Sequence, residues 1–297
     1  MNPRSTPLAL VVLTVLAGCS SPTASTPTQS PVVAADTPAA SPTPAHPADF
    51  TFAADKLSSS PFQNPVLFTI PGMDQVKIAN VTYSGDLTMD LYYPPDFDFN
   101  SPKPAVLFVF GVPDEEAILQ VGSPFKEMGQ YISWSQLVAA SGMIAVTYDT
   151  GRAPFGATSD PIAYISANGP SLGIDTDRLC LWSGSAHSAA ALRIITDTSR
   201  PYHSSLACGV FYYGDTILTK TLADDIPLFV VEAGQDTGDT NALIARFVEQ
   251  AQMAGVAVEF VTYPDGAHGF ETKQDTDETH DIVNKTLDFL KTHLLVE

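Results

Sequence analysis

The stretch LCLWSGSAHSAAAL, residues 179–192, reads as a strand that turns sharply into a helix. Residues 179–182 are apolar at every position, which suits a strand covered on both faces. The alanine-rich run from 186 onward favours a helix. Between them Gly184, Ser185 and Ala186 form a corner, with Ser185 at its tip. Runs of the same apolar kind occur at 105–110 (AVLFVF), 143–148 (MIAVTY), 206–212, 227–232 and 256–263. Helical patterns separate them at 131–141, 161–168, 239–254 and 277–294, and the last carries Val283, Leu287, Leu290 and Leu294 as one stripe. Ahead of this alternation lie β-like runs at 65–70, 75–83 and 87–93, the last two joined by the hairpin signal Ser84-Gly85-Asp86. Strands alternating with helices after an antiparallel start predict an α/β fold: a mostly parallel central sheet, antiparallel N-terminal strands and helices on both faces.

In such sheets reactive groups gather beyond the carboxyl ends of strands. Ser185 follows the run at 179–182, Asp236 follows 227–232 in Ala233-Gly234-Gln235-Asp236, and His268 follows 256–263 in Gly266-Ala267-His268-Gly269-Phe270. A serine hydroxyl becomes a useful nucleophile when a base takes its proton. A carboxylate on the other ring nitrogen fixes the tautomer of that base. Ser185, His268 and Asp236 are the candidates for those three roles, with Asp239 as the rival acid. His46, His203, His280 and His293 lie in linker, loop or helix contexts without such partners.

Five stretches resemble the α/β-hydrolase superfamily, in its dienelactone-hydrolase-like and prolyl-oligopeptidase-like esterase branches. They are MDLYYPP (89–95), KPAVLFVFG (103–111), GIDTDRLCLWSGSAHSA (173–189), AGQDT (233–237) and GAHGF (266–270), and the resemblance covers roughly 87–294. The resemblance implies an α/β-hydrolase fold and a serine esterase working through an acyl-enzyme, with the order Ser, Asp, His of that superfamily. It implies a small-molecule ester as substrate and no cofactor. The short stretch between 212 and 226 implies that no large cap domain is inserted. One oxyanion donor would be the backbone N–H of Ala186. The other would come from the loop after the first central strand, where Phe110 stands in place of the family histidine. Val112 is the candidate, because Pro113 has no N–H. The elbow of the family is Gly-x-Ser-x-Gly; here Ser183 and His187 occupy the glycine positions, and Ser188 follows. Ser183 is small enough for the corner. His187 either points out to a crevice, where it would line a pocket, or is accommodated by a wider helix–sheet gap. A non-catalytic protein that binds a ligand in a degenerate hydrolase pocket is the alternative reading. Arg152, in a longer loop with Phe155 and Gly156, is a second pocket candidate, able to meet a substrate carboxylate.

Residues 1–18 carry Arg4 and an apolar run from Leu8 to Ala17, too short to span a bilayer and suited to a signal-peptide core. Leu16-Ala17-Gly18-Cys19 resembles the lipobox of bacterial lipoproteins, which implies lipidation at Cys19. Residues 19–49, rich in Ser, Thr, Pro and Ala, read as a disordered tether behind that cysteine. The globular domain is expected over 50–297. This organisation places the protein outside the cytoplasm, anchored to a bacterial membrane through lipid alone. The chain has 14 Lys and Arg against 33 Asp and Glu, so no basic surface invites nucleic acid. A monomer is expected. Of the three cysteines, Cys180 and Cys208 lie in apolar strand patterns and read as buried free thiols, with a disulfide permitted outside the cytoplasm. No metal-ligand spacing is present, so no metal is expected.

Overall fold

A computed structural model describes residues 64–152, 159–214, 216–220, 222 and 226–295. The proposed signal peptide, Cys19, the tether, His46, Phe155 and Gly156 lie outside the described residues. Strands β1 (Lys77–Ser84) and β2 (Leu87–Tyr93) form a hairpin, with Gly85 at positive φ in its turn. They are followed by β3 (Lys103–Phe108), helix α1 (Asp114–Val121), α2 (Gly129–Ala140), β4 (Ile144–Tyr148) and α3 (Ser159–Asn168). The order continues with β5 (Ile174–Gly184), α4 (Ser188–Ile195), β6 (Leu206–Tyr212), β7 (Leu228–Ala233), α5 (Gly238–Met253), β8 (Val258–Tyr263) and α6 (Asp277–Leu294). The described strands make one sheet in the order β1-β2-β4-β3-β5-β6-β7-β8. β1, β2 and β4 pair antiparallel; β4, β3 and β5 to β8 run parallel.

Side-chain alternation along β6 shows why helices cover both faces. Phe211 meets Phe247 of α5, and the neighbouring Gly209 leaves room for Ile195 of α4. Tyr212 points the other way, against Trp134 of α2, and its hydroxyl bonds Thr286 of α6. Trp134 and Trp182, both fully buried, join Tyr212 in an aromatic layer beneath the strand ends. The fold is therefore the expected α/β architecture, with only residues 213–227 between β6 and β7 and no length there for a cap domain.

Three expectations are corrected. Residues 65–70 do not form a strand. The Val66 N–H donates to Ser133 Oγ and the Leu67 N–H to the Glu271 carbonyl, so this segment is tied to α2 and to the loop before α6 rather than to the sheet. Between β3 and β4, where the pattern predicts only the helix at 131–141, α1 and a 3₁₀ turn at Phe125–Glu127 also form. Finally, Cys180 and Cys208 are not free thiols but a disulfide. They are directly opposed on the parallel strands β5 and β6, with Cα atoms 4.7 Å apart, inside the range a disulfide spans.

Candidate active site

Ser185 ends the run of β5 and starts a 3₁₀ turn, Ser185–His187, that leads into α4. Its φ is +54°, in the left-handed region that an L side chain adopts at a cost. The corner fits because β6 continues into Gly214. A Cβ on Gly214 would lie 1.8 Å from Ser188 Oγ and 2.9 Å from the Ser185 carbonyl oxygen. Gly214 is thus a requirement of the site that sequence reasoning missed; it stands at a strand end, but a single glycine in YYGD carries no signal of what it must clear.

The loops after β7 and β8 are tied to each other. The Gly234 N–H donates to the Tyr263 carbonyl and the Gln235 N–H to the Gly266 carbonyl. Gly234 lies so close to Pro264 that a Cβ there would be 2.5 Å from the proline carbonyl oxygen. Asn241 of α5 donates to the Ala233 carbonyl, and Gln274 accepts from the Ala267 N–H. These contacts set Asp236 and His268 side by side. His268 Nδ1 is 2.5 Å from Asp236 Oδ2, and His268 Nε2 is 2.8 Å from Ser185 Oγ. With Nδ1–H donated to the carboxylate, Nε2 is free to accept from the serine hydroxyl. The other Asp236 oxygen, Oδ1, accepts from the Thr237 N–H, and the Asp236 side chain is only 7% exposed. Asp239, the rival acid, sits in the first turn of α5, where a carboxylate favours the helix dipole.

Behind His268 lies a buried polar pair. The Tyr213 ring centroid is 4.6 Å from that of His268, and Tyr213 itself has a φ of +36°. Its hydroxyl donates to Glu271 Oε1 at 2.5 Å, and Gln130 Nε2 donates to the same oxygen at 2.6 Å. Glu271 is fully buried, and desolvation raises its carboxyl above the usual range.

The loop after β3 approaches the corner from the other side. The Phe110 N–H donates to Tyr148 Oη and the Gly111 N–H to His187 Nδ1. The Val112 carbonyl accepts from Thr150 Oγ1. Asp114 Oδ2 accepts from the N–H groups of Thr150 and Gly151, locking this loop to the one after β4. Among the described residues none accepts from the Val112 N–H, and that of Ala186 is one of the unpaired donors of the 3₁₀ turn.

The expectation that His187 lines a pocket is corrected: it points inward, 4% exposed, with its ring among Phe110, Phe125 and Tyr131. Desolvation lowers its pKa to about 4, so the ring is neutral near pH 7. Ser183 is likewise buried, its hydroxyl 3.4 Å from the Val210 carbonyl. Arg152 is exposed and pairs with Glu115, and no contact among the described residues brings it to Ser185. His203 and His280 bond backbone carbonyls of Ile195 and Leu67, and His293 packs at a tilt against Phe289, all away from Ser185 in sequence context and partners. No group of His, Cys, Asp and Glu among the described residues is placed to hold a metal ion.

A sequence model of the Dienelactone hydrolase family matches residues 196–294, which include Asp236 and His268 and begin after Ser185. No curated protein sequence matches the chain. Among solved structures, esterase 2 of Thermogutta terrifontis phosphorylated by paraoxon is similar, with 20% identity and a TM-score of 0.60 over 77% of this chain and 98% of that one. Esterase LipW of Mycobacterium marinum is similar with 15% identity and a TM-score of 0.59, over 73% and 82%. The chain thus has the α/β-hydrolase fold that its five motifs suggested, and over its C-terminal third it is similar to the dienelactone hydrolase family.

Proposed function

We propose that this protein is a serine esterase that cleaves carboxylic esters through an acyl-enzyme. The observation that carries this reading is the unbroken chain from Asp236 through His268 to Ser185, ending on a hydroxyl at a positive-φ corner. Ser185 Oγ attacks the ester carbonyl as its proton passes to His268 Nε2. Asp236 holds the ring and stabilises the imidazolium. The tetrahedral oxyanion is received by the N–H groups of Ala186 and Val112. Collapse expels the alcohol, which takes the proton from His268. Water then attacks the acyl-serine by the same route, releasing the acid and restoring the hydroxyl. The Thermogutta enzyme lends support: it is phosphorylated by paraoxon, and other structures of it hold propionate and butyrate. Short acyl esters are accordingly the first substrates to try.

The domain is further proposed to act outside the cytoplasm as a lipoprotein, anchored through Cys19. The Cys180–Cys208 disulfide supports an oxidising compartment. Loss of radiolabelled palmitate from a Cys19→Ala protein expressed in bacteria would test the anchor; equal labelling would reject it.

The enzymatic reading is tested with paraoxon or a fluorophosphonate probe, beside a Ser185→Ala control. Wild type is expected to be labelled at Ser185 and to hydrolyse p-nitrophenyl acetate and butyrate; the variant does neither. A folded wild type that is not labelled and leaves both esters intact rejects it in favour of a ligand-binding protein.

A further inference from the structure

Two residues past Ser185, the corner calls for a small side chain, yet it holds an imidazole. The position of that imidazole gives it a task. His187 reaches from the start of α4 across to the loop after β3, where its Nδ1 accepts the Gly111 N–H at 3.0 Å. Its ring stands edge-on to Phe125 with centroids 4.4 Å apart, while Phe110 and Tyr131 close the other sides. Since Nδ1 accepts, the ring proton resides on Nε2.

The consequence lies one peptide further on. The peptide between Phe110 and Gly111 is held at both ends: its oxygen faces Tyr148 Oη and its N–H is taken by His187. The peptide between Val112 and Pro113 is held at its oxygen by Thr150. The peptide between Gly111 and Val112, whose N–H no described residue accepts, lies between these two pinned neighbours. Gly111 has no side chain to restrict its own dihedrals, so this orientation depends on the neighbouring contacts.

We propose that His187 is a positioning residue for the oxyanion loop: by taking the Gly111 N–H, it sets the Val112 N–H toward the charge that develops beside Ser185. This rests on the esterase reading above and deepens it. An N–H held in place contributes at the moment of reaction without reorganising, and removing one such donor costs about 10²–10³ in kcat.

The test compares His187→Leu, which fills space without an acceptor, with His187→Asn, whose side-chain oxygen can accept in place of Nδ1. With p-nitrophenyl butyrate, the leucine variant should lose about 10- to 100-fold in kcat, with KM within twofold of wild type. Its affinity for a trifluoromethyl ketone, which forms a tetrahedral adduct on the serine, should fall by the same factor. Asparagine should restore kcat to within about fivefold of wild type. Should leucine prevent folding, His187→Gly with added imidazole or pyrrole replaces it, with Ser185→Ala as the background. Imidazole has an acceptor nitrogen and pyrrole has none, so imidazole alone should rescue. The proposal is overturned if an active wild type is matched within twofold by the leucine variant, if asparagine fares no better than leucine, if the loss lies in KM, or if pyrrole rescues as well as imidazole. A wild type that neither turns over nor is labelled at Ser185 overturns the esterase reading and this one together.

Discussion

Burying His187 as a neutral imidazole links the stability of this protein to pH in a way that can be worked out beforehand. Unfolded, the ring titrates near its ordinary 6.5; folded, desolvation lowers its pKa to about 4. Between those values the unfolded chain binds a proton that the folded one refuses. The contribution of His187 is therefore complete above pH 6.5 and is lost as pH falls toward 4. From pH 7 to pH 5 the expected loss is about 2 kcal/mol, and about 1 kcal/mol more follows by pH 4. The groups packed on the ring, Phe110, Phe125 and Tyr131, add no charge in that window, because burial raises the Tyr131 hydroxyl above its ordinary range. Urea unfolding followed by tryptophan fluorescence suits the measurement, since Trp134 and Trp182 are the only tryptophans and both are fully buried. The comparison is wild type against His187→Asn at pH 7, 6 and 5, with the disulfide intact. Titrations shared by the two proteins cancel in the difference. Wild type should lose about 2 kcal/mol more than the variant over this range. A difference that stays constant with pH refutes the reasoning, because it means that His187 is solvated or paired in the folded state.

Three other outcomes follow from the same contacts. Asp236→Asn, which takes away the carboxylate that orients His268, should lower kcat by about 10⁴ with little change in KM, read from steady-state ester hydrolysis. Replacing Cys180 and Cys208 together by alanine opens a loop whose ends are 28 residues apart and should cost about 3.5 kcal/mol by chain entropy, measured by urea unfolding; undiminished stability would mean the bridge does not form. Glu271 has a raised folded pKa, so its contribution is present below its ordinary 4.5 and is lost as pH rises through the folded value. Glu271→Gln should therefore gain in melting temperature relative to wild type between pH 4 and pH 8, and parallel curves would count against a buried charge.

Where periodicity and punctuation were strong, the fold was legible. The runs at 87–93 and 206–212 and the helix at 277–294 form within the bounds expected, because each has a uniform pattern and a clear stop. Residues 65–70 misled because an apolar run between two prolines has β-like composition, while its N–H groups find partners on α2 and before α6. Helix α1 was missed because its eight residues, with three acids first, resemble a polar loop; Pro113 precedes it and Gly122 ends it.

The sequence by itself determined the layers, the strand ends and the order Ser185, Asp236, His268, since these depend on local pattern and on where each strand stops. What the side chains do to one another was decided only in three dimensions. Cys180 and Cys208 became partners because β5 and β6 are neighbours in register. Tyr213 and Glu271, 58 residues apart, met behind His268 because α2, β6 and the loop after β8 converge there. His187 turned inward because Gly111, 76 residues away, presents an N–H to it in an aromatic enclosure that excludes water. Each of these choices depends on contacts distant along the chain, and those exist only once the sheet has assembled.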